Sequence, residues 1–328
     1  MNDYQISVIT DPVRHGKYLF SEPIKGILRK IKHFIFPLPH YMESEYRGHP
    51  AVTRSLVEGL YKIRCKSNYN PRNLKDLSEN VVLLSGVSAL KQMIQFKKNG
   101  LIKKLLVGPN LIEMPTDYDS LVSDSSIDAC IVNSEWTKIL YQEDCPEIKD
   151  RLVIWPAGVD THYWCVPSEM RKQKKVIFYE KQRKGRVGPI EPYIEWVKEQ
   201  GYEVVVIKAG EYSLEEFRCH LLTSQIMVGF VRDESQGLAW AEAWSSDVPT
   251  FIWRNNSINY RNKEIQSSTA PYLEKNTGMF FDNIENFKSI FTDWMMGKLI
   301  FHPREWVIDN MSDEFCAKKI LQIVDSIK

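Results

Sequence analysis

The sequence predicts an α/β protein made of two Rossmann-like domains, each with a parallel sheet. Three observations carry that prediction. Short β-rich runs alternate with longer helical patterns almost from end to end, as strands joined by crossover helices do. An aperiodic stretch with two prolines and a closing charge run, WPAGVDTHYWCVPSEMRKQKK, separates two such alternating sets. With 328 residues and 43% hydrophobic content, the chain is long enough for two medium cores.

In the first set, strands are expected at Ile6 to Thr10, Val81 to Leu84, Lys104 to Val107, Ala129 to Asn133 and Leu152 to Trp155. Helices are expected at Pro50 to Arg64, Val87 to Lys98 and Ser134 to Gln142. The helix from Val87 repeats apolar residues at Leu90 and Ile94 and meets Gly100 as a stop. The second set places strands at Val176 to Tyr179, Glu203 to Ile207, Ile226 to Phe230, Thr250 to Trp253 and, more weakly, Gly278 to Phe281. Its helices are expected at Ile190 to Gln200, Leu214 to Leu222, Leu238 to Trp244, Ile284 to Met296 and Ser312 to Ile327. The expected organisation is a first domain over 1–160, a linker over 161–174, a second domain over 175–310, and a helix over 311–328 that crosses back to the first.

The 43 Lys and Arg against 42 Asp and Glu leave a formal charge of +1. No global field then favours nucleic acid, and an anion site has to be local. The six cysteines are scattered without metal-site or redox spacing and read as reduced thiols. With no secretory pattern at the start and no long apolar run, a cytoplasmic location is expected. The Asn-x-Ser matches at Asn255 and Asn310 then read as chance. In residues 24–36, Ile24, Ile27, Leu28, Ile31 and Ile35 fall at helical spacing beside Lys25, Arg29, Lys30 and Lys32. Such a helix either packs on the first sheet or lies on an anionic membrane face.

The most informative stretch runs from Asp233 through Glu234, Ser235, Gln236, Gly237, Leu238 and Glu242 to Trp244, just after the Ile226 to Phe230 strand. Ligands of open α/β sheets bind at the carboxyl ends of strands. A helix beginning near Gln236 turns its free amides and positive dipole end toward a diphosphate. Gly237 lets such a ligand approach the backbone. Glu234 and Glu242, one before the helix and one about two turns inside it, offer acceptor oxygens to sugar hydroxyls; as bland residues they only complement the dipole and solvate the helix.

This stretch, continuing through Ala243 and Trp244 to Val248 and Pro249, resembles the donor-site signature of retaining GT-B glycosyltransferases of the family 4 type. Gln236 stands where an aromatic is usual and Asp247 where a glycine is usual. Ile127 to Thr137, followed by Ile154 to Asp160, is similar to the end of the acceptor domain in the same family. The resemblance covers roughly Ser85 to Phe281. It implies two Rossmann-like domains facing across a cleft, a nucleotide-sugar donor, and a glycan or lipid-linked acceptor. Glu234 would contact the transferred sugar, Ser235, Gln236, Gly237 and Leu238 would line the donor site, and Glu242 would hold the ribose. A basic pair after the first donor-domain strand would neutralise the leaving diphosphate. Lys181 and Lys184, with Arg186 as substitute, are the candidates, although a charge run is also what a solvated loop carries.

On the acceptor side the resemblance brings Asn110, after Gly108 and Pro109, near the reacting centre. It also makes Arg47 to Pro50 a glycine-containing first loop, with Gly48 and His49 as acceptor-side candidates, His49 reading equally as a helix-entry residue; Gly86 is a further acceptor-side candidate. Ser134 is read as an N-cap. Asp117-Tyr118-Asp119 imitates a metal-binding acidic pair but reads better as the opening of a helix, with Thr116 and Asp119 as a capping box. No metal and no cofactor are therefore expected. The reaction implied is sugar transfer with retention. An epimerase or phosphorylase on the same fold, and a non-catalytic nucleotide-sugar-binding protein, are the competing readings. A dehydrogenase is disfavoured, because no Gly-x-Gly-x-x-Gly follows a strand.

Overall fold

The structure, a computed structural model, describes residues 5–10, 48–71, 73–181 and 188–327. Residues 24–36, with their two readings, and Arg47, Lys184 and Arg186 lie outside the described residues. Packing divides the chain into two compact units, one comprising residues 1–133, 138–158 and 316–328, the other residues 134–137 and 159–315.

The first unit is a six-stranded, wholly parallel sheet in the order β2-β1-β3-β4-β5-β6. Its strands are β1 (Gln5–Ile9), β2 (Lys66–Tyr69), β3 (Asn80–Ser85), β4 (Lys104–Asn110), β5 (Ala129–Val132) and β6 (Leu152–Ile154). Helices α1 (His49–Lys62), α2 (Val87–Lys98) and α3 (Glu135–Asp144) join them, the first three residues of α3 being grouped with the second unit. Central strands such as Val81 to Leu84 are buried without alternation, because a parallel sheet is covered on both faces. Leu83, Val107, Cys130 and Val132 pack on Leu90, Met93 and Ile94 of α2. Strand β2 is absent from the expected set. Its sequence, KSNY, carries no apolar residue but tyrosine and is an edge strand with no buried position.

The second unit holds a five-stranded parallel sheet in the order β13-β10-β9-β7-β8 and a separate antiparallel hairpin, β11 with β12. Here β7 is Lys175–Lys181, β8 Glu203–Lys208, β9 Ile226–Val231, β10 Thr250–Trp253, β11 Ser257–Tyr260, β12 Lys263–Gln266 and β13 Gly278–Phe281. The helices are α4 (Glu191–Glu199), α5 (Leu214–Thr223), α6 (Leu238–Ser245), α7 (Ile284–Met295), α8 (Pro303–Met311) and α9 (Asp313–Ser326), the last running from this unit into the first. One face of the sheet is an aromatic core in which Phe178, Tyr193, Phe230, Phe281, Phe287 and Phe291 are buried together. Ring centroids there lie 5.0 to 6.3 Å apart, mostly edge-to-face, an arrangement that adds about 0.5–1.5 kcal/mol per pair beyond area burial.

Three local expectations are corrected. Residues 117–120 do not open a regular helix, because Tyr118, Asp119 and Ser120 have positive φ. Thr116 makes no side-chain cap there; its hydroxyl donates instead to Asp144, and Asp117 accepts from the Met114 amide. At the start of α3 the cap works in reverse, with the Ser134 N–H donating to the Thr137 hydroxyl at 3.0 Å. Helix α8 and the hairpin β11–β12 were not anticipated. The first follows His302-Pro303, with proline in the opening turn where its missing N–H costs nothing. The second turns through Arg261 and Asn262, both left-handed, in place of the usual glycine.

No helix among the described residues is long and apolar enough to cross a membrane.

Candidate functional site

In the second unit the strand order reverses beside β7, with β8 on one side and β9 on the other. Crevices at such a switch point, outside the carboxyl ends of the strands, are where open α/β sheets bind ligands. The register sets Lys181, the last residue of β7, opposite Val231, the last residue of β9. Three residues beyond Val231 stands Glu234. Lys181 Nζ donates to Glu234 Oε1 at 2.6 Å, in a pair whose side chains are only 24% and 11% exposed. A charge-assisted bond this shielded is less screened than a surface pair. Sequence had assigned these two residues to different parts of one ligand without pairing them.

The main chain of Glu234 is tied as firmly as its carboxylate. Its N–H donates to the Ser268 carbonyl at 2.8 Å, and its own carbonyl accepts the indole N–H of Trp136 at 2.9 Å. Both partners belong to the second unit. The segment after the hairpin therefore braces the turn after β9. At its other foot, Asn255 donates to the Arg232 carbonyl at 2.8 Å.

Helix α6 starts at Leu238, as the strand–helix alternation predicts and two residues after Gln236, with left-handed Gly237 (φ +84°) as its N-cap and no side-chain cap. No Ser, Thr or Asp side chain closes the first turn, and of its amides that of Trp240 donates back to the Gly237 carbonyl at 3.1 Å, so an anion would meet those of Leu238 and Ala239. Gly237 is demanded first by the protein itself. A Cβ there would lie 2.2 Å from Cδ1 of the buried Trp240 indole. The same indole excludes a side chain at Gly229, where a Cβ would meet it at 2.5 Å. Ser235 is exposed, but Gln236 is buried, so its side chain is turned into the protein and not presented on the surface. Glu242 sits little more than one turn inside α6, not two.

Behind the Lys181–Glu234 pair is a phenol cluster that sequence did not suggest. The Tyr179 hydroxyl is pushed well above its ordinary pKa by burial first, then by its Tyr212 neighbour and the nearby carboxylates of Glu234 and Glu242. It is a neutral phenol, edge-on to Trp240 at 5.3 Å. Burial also raises Tyr163, against the Arg218 guanidinium that lies 5.0 Å over its ring.

In the first unit, Ser85 at the end of β3 is in register with Asn110 at the end of β4, which brings Asn110 beside Gly86. Asn110 Nδ2 is buried without a hydrogen-bond partner, and Gly86 (φ +102°) caps α2. Gly48 and His49 are the exposed cap and first residue of α1, where the His49 carbonyl accepts the Thr53 hydroxyl. Strand β2, invisible to hydrophobic patterning, adds Tyr69 and Asn70 to this carboxyl edge. The Tyr69 hydroxyl lies 2.9 Å from Thr10 Oγ1, and Asn70 Oδ1 accepts the Thr10 amide.

No protein-family model and no curated protein matches the chain. Solved structures do. A glycosyltransferase from Rickettsia africae ESF-5 superposes with a TM-score of 0.57 at 14% identity, over 100% of this chain and 99% of that one. Anabaena Alr3699/HepE gives 0.52 at 8%, and the lipopolysaccharide outer core galactosyltransferase WaaB 0.51 at 10%, each over 98% of this chain and 99% of its own. The likeness is one of fold: two Rossmann-like halves with parallel sheets, as in GT-B glycosyltransferases.

Proposed function

We propose that this chain is a glycosyltransferase that takes a sugar from a nucleotide-sugar donor and passes it, with retention of anomeric configuration, to a glycan or lipid-linked acceptor. The observation that carries this reading is the Lys181–Glu234 ion pair at the switch point of the second sheet, directly ahead of the uncapped start of α6. A lysine and the head of a helix without a side-chain cap suit a diphosphate leaving group, and an anchored carboxylate suits a sugar hydroxyl. Among the described residues Glu234 Oε2 has no partner, which leaves one carboxylate oxygen for that hydroxyl. Glu242 would take the ribose. Lys184 and Arg186 are proposed to add charge to the diphosphate site, and Asn110 to hold a hydroxyl on the acceptor side.

In the proposed step the bond between the anomeric carbon and the β-phosphate oxygen breaks, and a bond from the acceptor oxygen to that carbon forms on the same face. The acceptor proton passes to the departing phosphate, and the nucleoside diphosphate leaves. The protein contributes charge stabilisation of the leaving group and orientation of the sugar.

HepE was solved with UDP, and with UDP and glucose, so UDP-sugars are the first donors to try. Glu234→Ala is expected to lower nucleoside diphosphate release from the active donor by at least about a hundredfold, the scale of one lost transition-state contact. Its affinity for the bare nucleoside diphosphate should stay within about threefold, because the carboxylate is assigned to the sugar. A fully active variant in a coupled diphosphate-release assay would remove the assignment.

A further inference from the structure

Glu234 is held by three hydrogen bonds from three separate segments of the second unit: the Lys181 ammonium on its carboxylate, the Ser268 carbonyl on its N–H, and the Trp136 indole N–H on its carbonyl. The first two come from strand β7 and from the segment after the hairpin, both of which build the site. The third comes from the second residue of α3, far away in sequence and with no part in the donor-site signature. We infer that Trp136 is a positioning residue for Glu234, setting the angle at which its carboxylate meets the transferred sugar; this rests on the glycosyl-transfer reading given above.

A residue whose N–H and C=O are both tied has little freedom in φ and ψ, so its side chain leaves the backbone in a fixed direction. Without the indole bond the plane of the Glu234–Ser235 peptide is freer to turn about the Glu234 Cα–C and Ser235 N–Cα bonds. The carboxylate would still reach Lys181, whose long side chain follows it, but would no longer sit at one angle to the sugar. Trp136 is only partly buried, which frees its role from that of a core-filling side chain. Its indole has a single donor, and that donor is spent on this carbonyl. A misplacement of reacting groups by an ångström or less lowers turnover more than binding.

The test uses the full chain and a panel of UDP-glucose, UDP-galactose, UDP-N-acetylglucosamine, GDP-mannose and ADP-glucose, with nucleoside diphosphate release as the readout. Trp136→Phe keeps a ring and removes the donor. It is expected to lower kcat by about tenfold, the scale of one lost hydrogen bond, with donor KM and UDP affinity within about twofold. Trp136→His, which carries a ring N–H, should recover part of the loss and also serves if the phenylalanine variant folds poorly by circular dichroism. In the Glu234→Ala background, Trp136→Phe should cost nothing further, because there is no carboxylate left to aim. Wild-type kcat in Trp136→Phe, or losses that multiply in the double variant, would overturn the inference while leaving the glycosyl-transfer reading intact. A wild-type chain that releases no diphosphate from any donor overturns that reading, and this role with it.

Discussion

One indole explains two glycines. Trp240 is fully buried, donates its N–H to the Thr269 carbonyl at 3.0 Å, and lies where a Cβ on either Gly229 or Gly237 would go. Gly237 also needs positive φ, so Gly237→Ala meets strain and overlap together. A loss of about 2 to 4 kcal/mol is expected, read as a lower midpoint in urea unfolding at unchanged slope. Substituting Gly237 together with Trp240→Leu should recover the overlap part and leave the strain. At this scale the sequence was half legible. Lys181, Glu234 and Gly237 were recognisable as residue types at the end of a strand and the head of a helix. That Lys181 and Glu234 touch depends on the β7–β9 register, which no local pattern contains. Trp136 was missed because a tryptophan in the first turn of an amphipathic helix looks like any other apolar contact.

At the scale of elements, α5 and α6 show how the site is supported from behind. Helix α5 begins with a complete capping box, Ser213 with Glu216, whereas α6, whose head faces the proposed diphosphate, has no such cap. Their far ends are joined by Lys172, whose ammonium donates to the Leu221 carbonyl at 2.7 Å and the Ser246 carbonyl at 2.9 Å, near the negative ends of both helix dipoles. Burial nevertheless lowers its pKa to about 8, with Asp247 opposing the shift. Because the folded value lies below the unfolded one of about 10.4, the unfolded chain binds more protons between pH 8 and 10.4, and stability rises with pH through that window. Below pH 8 both states are protonated and the contribution is flat at its least favourable. The melting temperature of Lys172→Met, followed by circular dichroism from pH 7 to 10, is expected to lack this rise relative to the wild type.

Long periodic elements such as α2 were legible to the residue because their apolar stripe and stop signal agree. The edge strand β2 and the hairpin β11–β12 were not, since neither buries enough apolar surface to leave a pattern.

At the scale of the molecule, the alternation of strands and helices was enough to imply two parallel sheets. The last residues pack with the first unit. Cys316, Ala317, Ile320 and Val324 are fully buried, Lys104 Nζ donates to the Val324 carbonyl at 2.8 Å, and the buried Trp155 donates its indole N–H to the Cys316 carbonyl at 2.8 Å. A fragment ending at Gly158 would leave that indole and the core beneath it uncovered. It is expected to lack a cooperative thermal transition, whereas residues 1–158 joined to 316–328 should show one, with circular dichroism as the measure.

The second unit's span leaves at Val159 and comes back at Ser312, and these two residues form a parallel bridge, with the Val159 N–H on the Met311 carbonyl and the Asp313 N–H on the Val159 carbonyl. Two ends that close together are the geometry of an inserted domain, the kind of junction at which nature and protein engineers alike tolerate exchange. Residues 159–315 can thus be regarded as a cassette clipped into a loop of its host. On the glycosyl-transfer reading proposed above, transplanting the equivalent span of a related chain at this clip, with residues 134–137 carried along to preserve the Trp136 contact, is expected to change which nucleotide-sugar releases its diphosphate and to leave the acceptor unchanged.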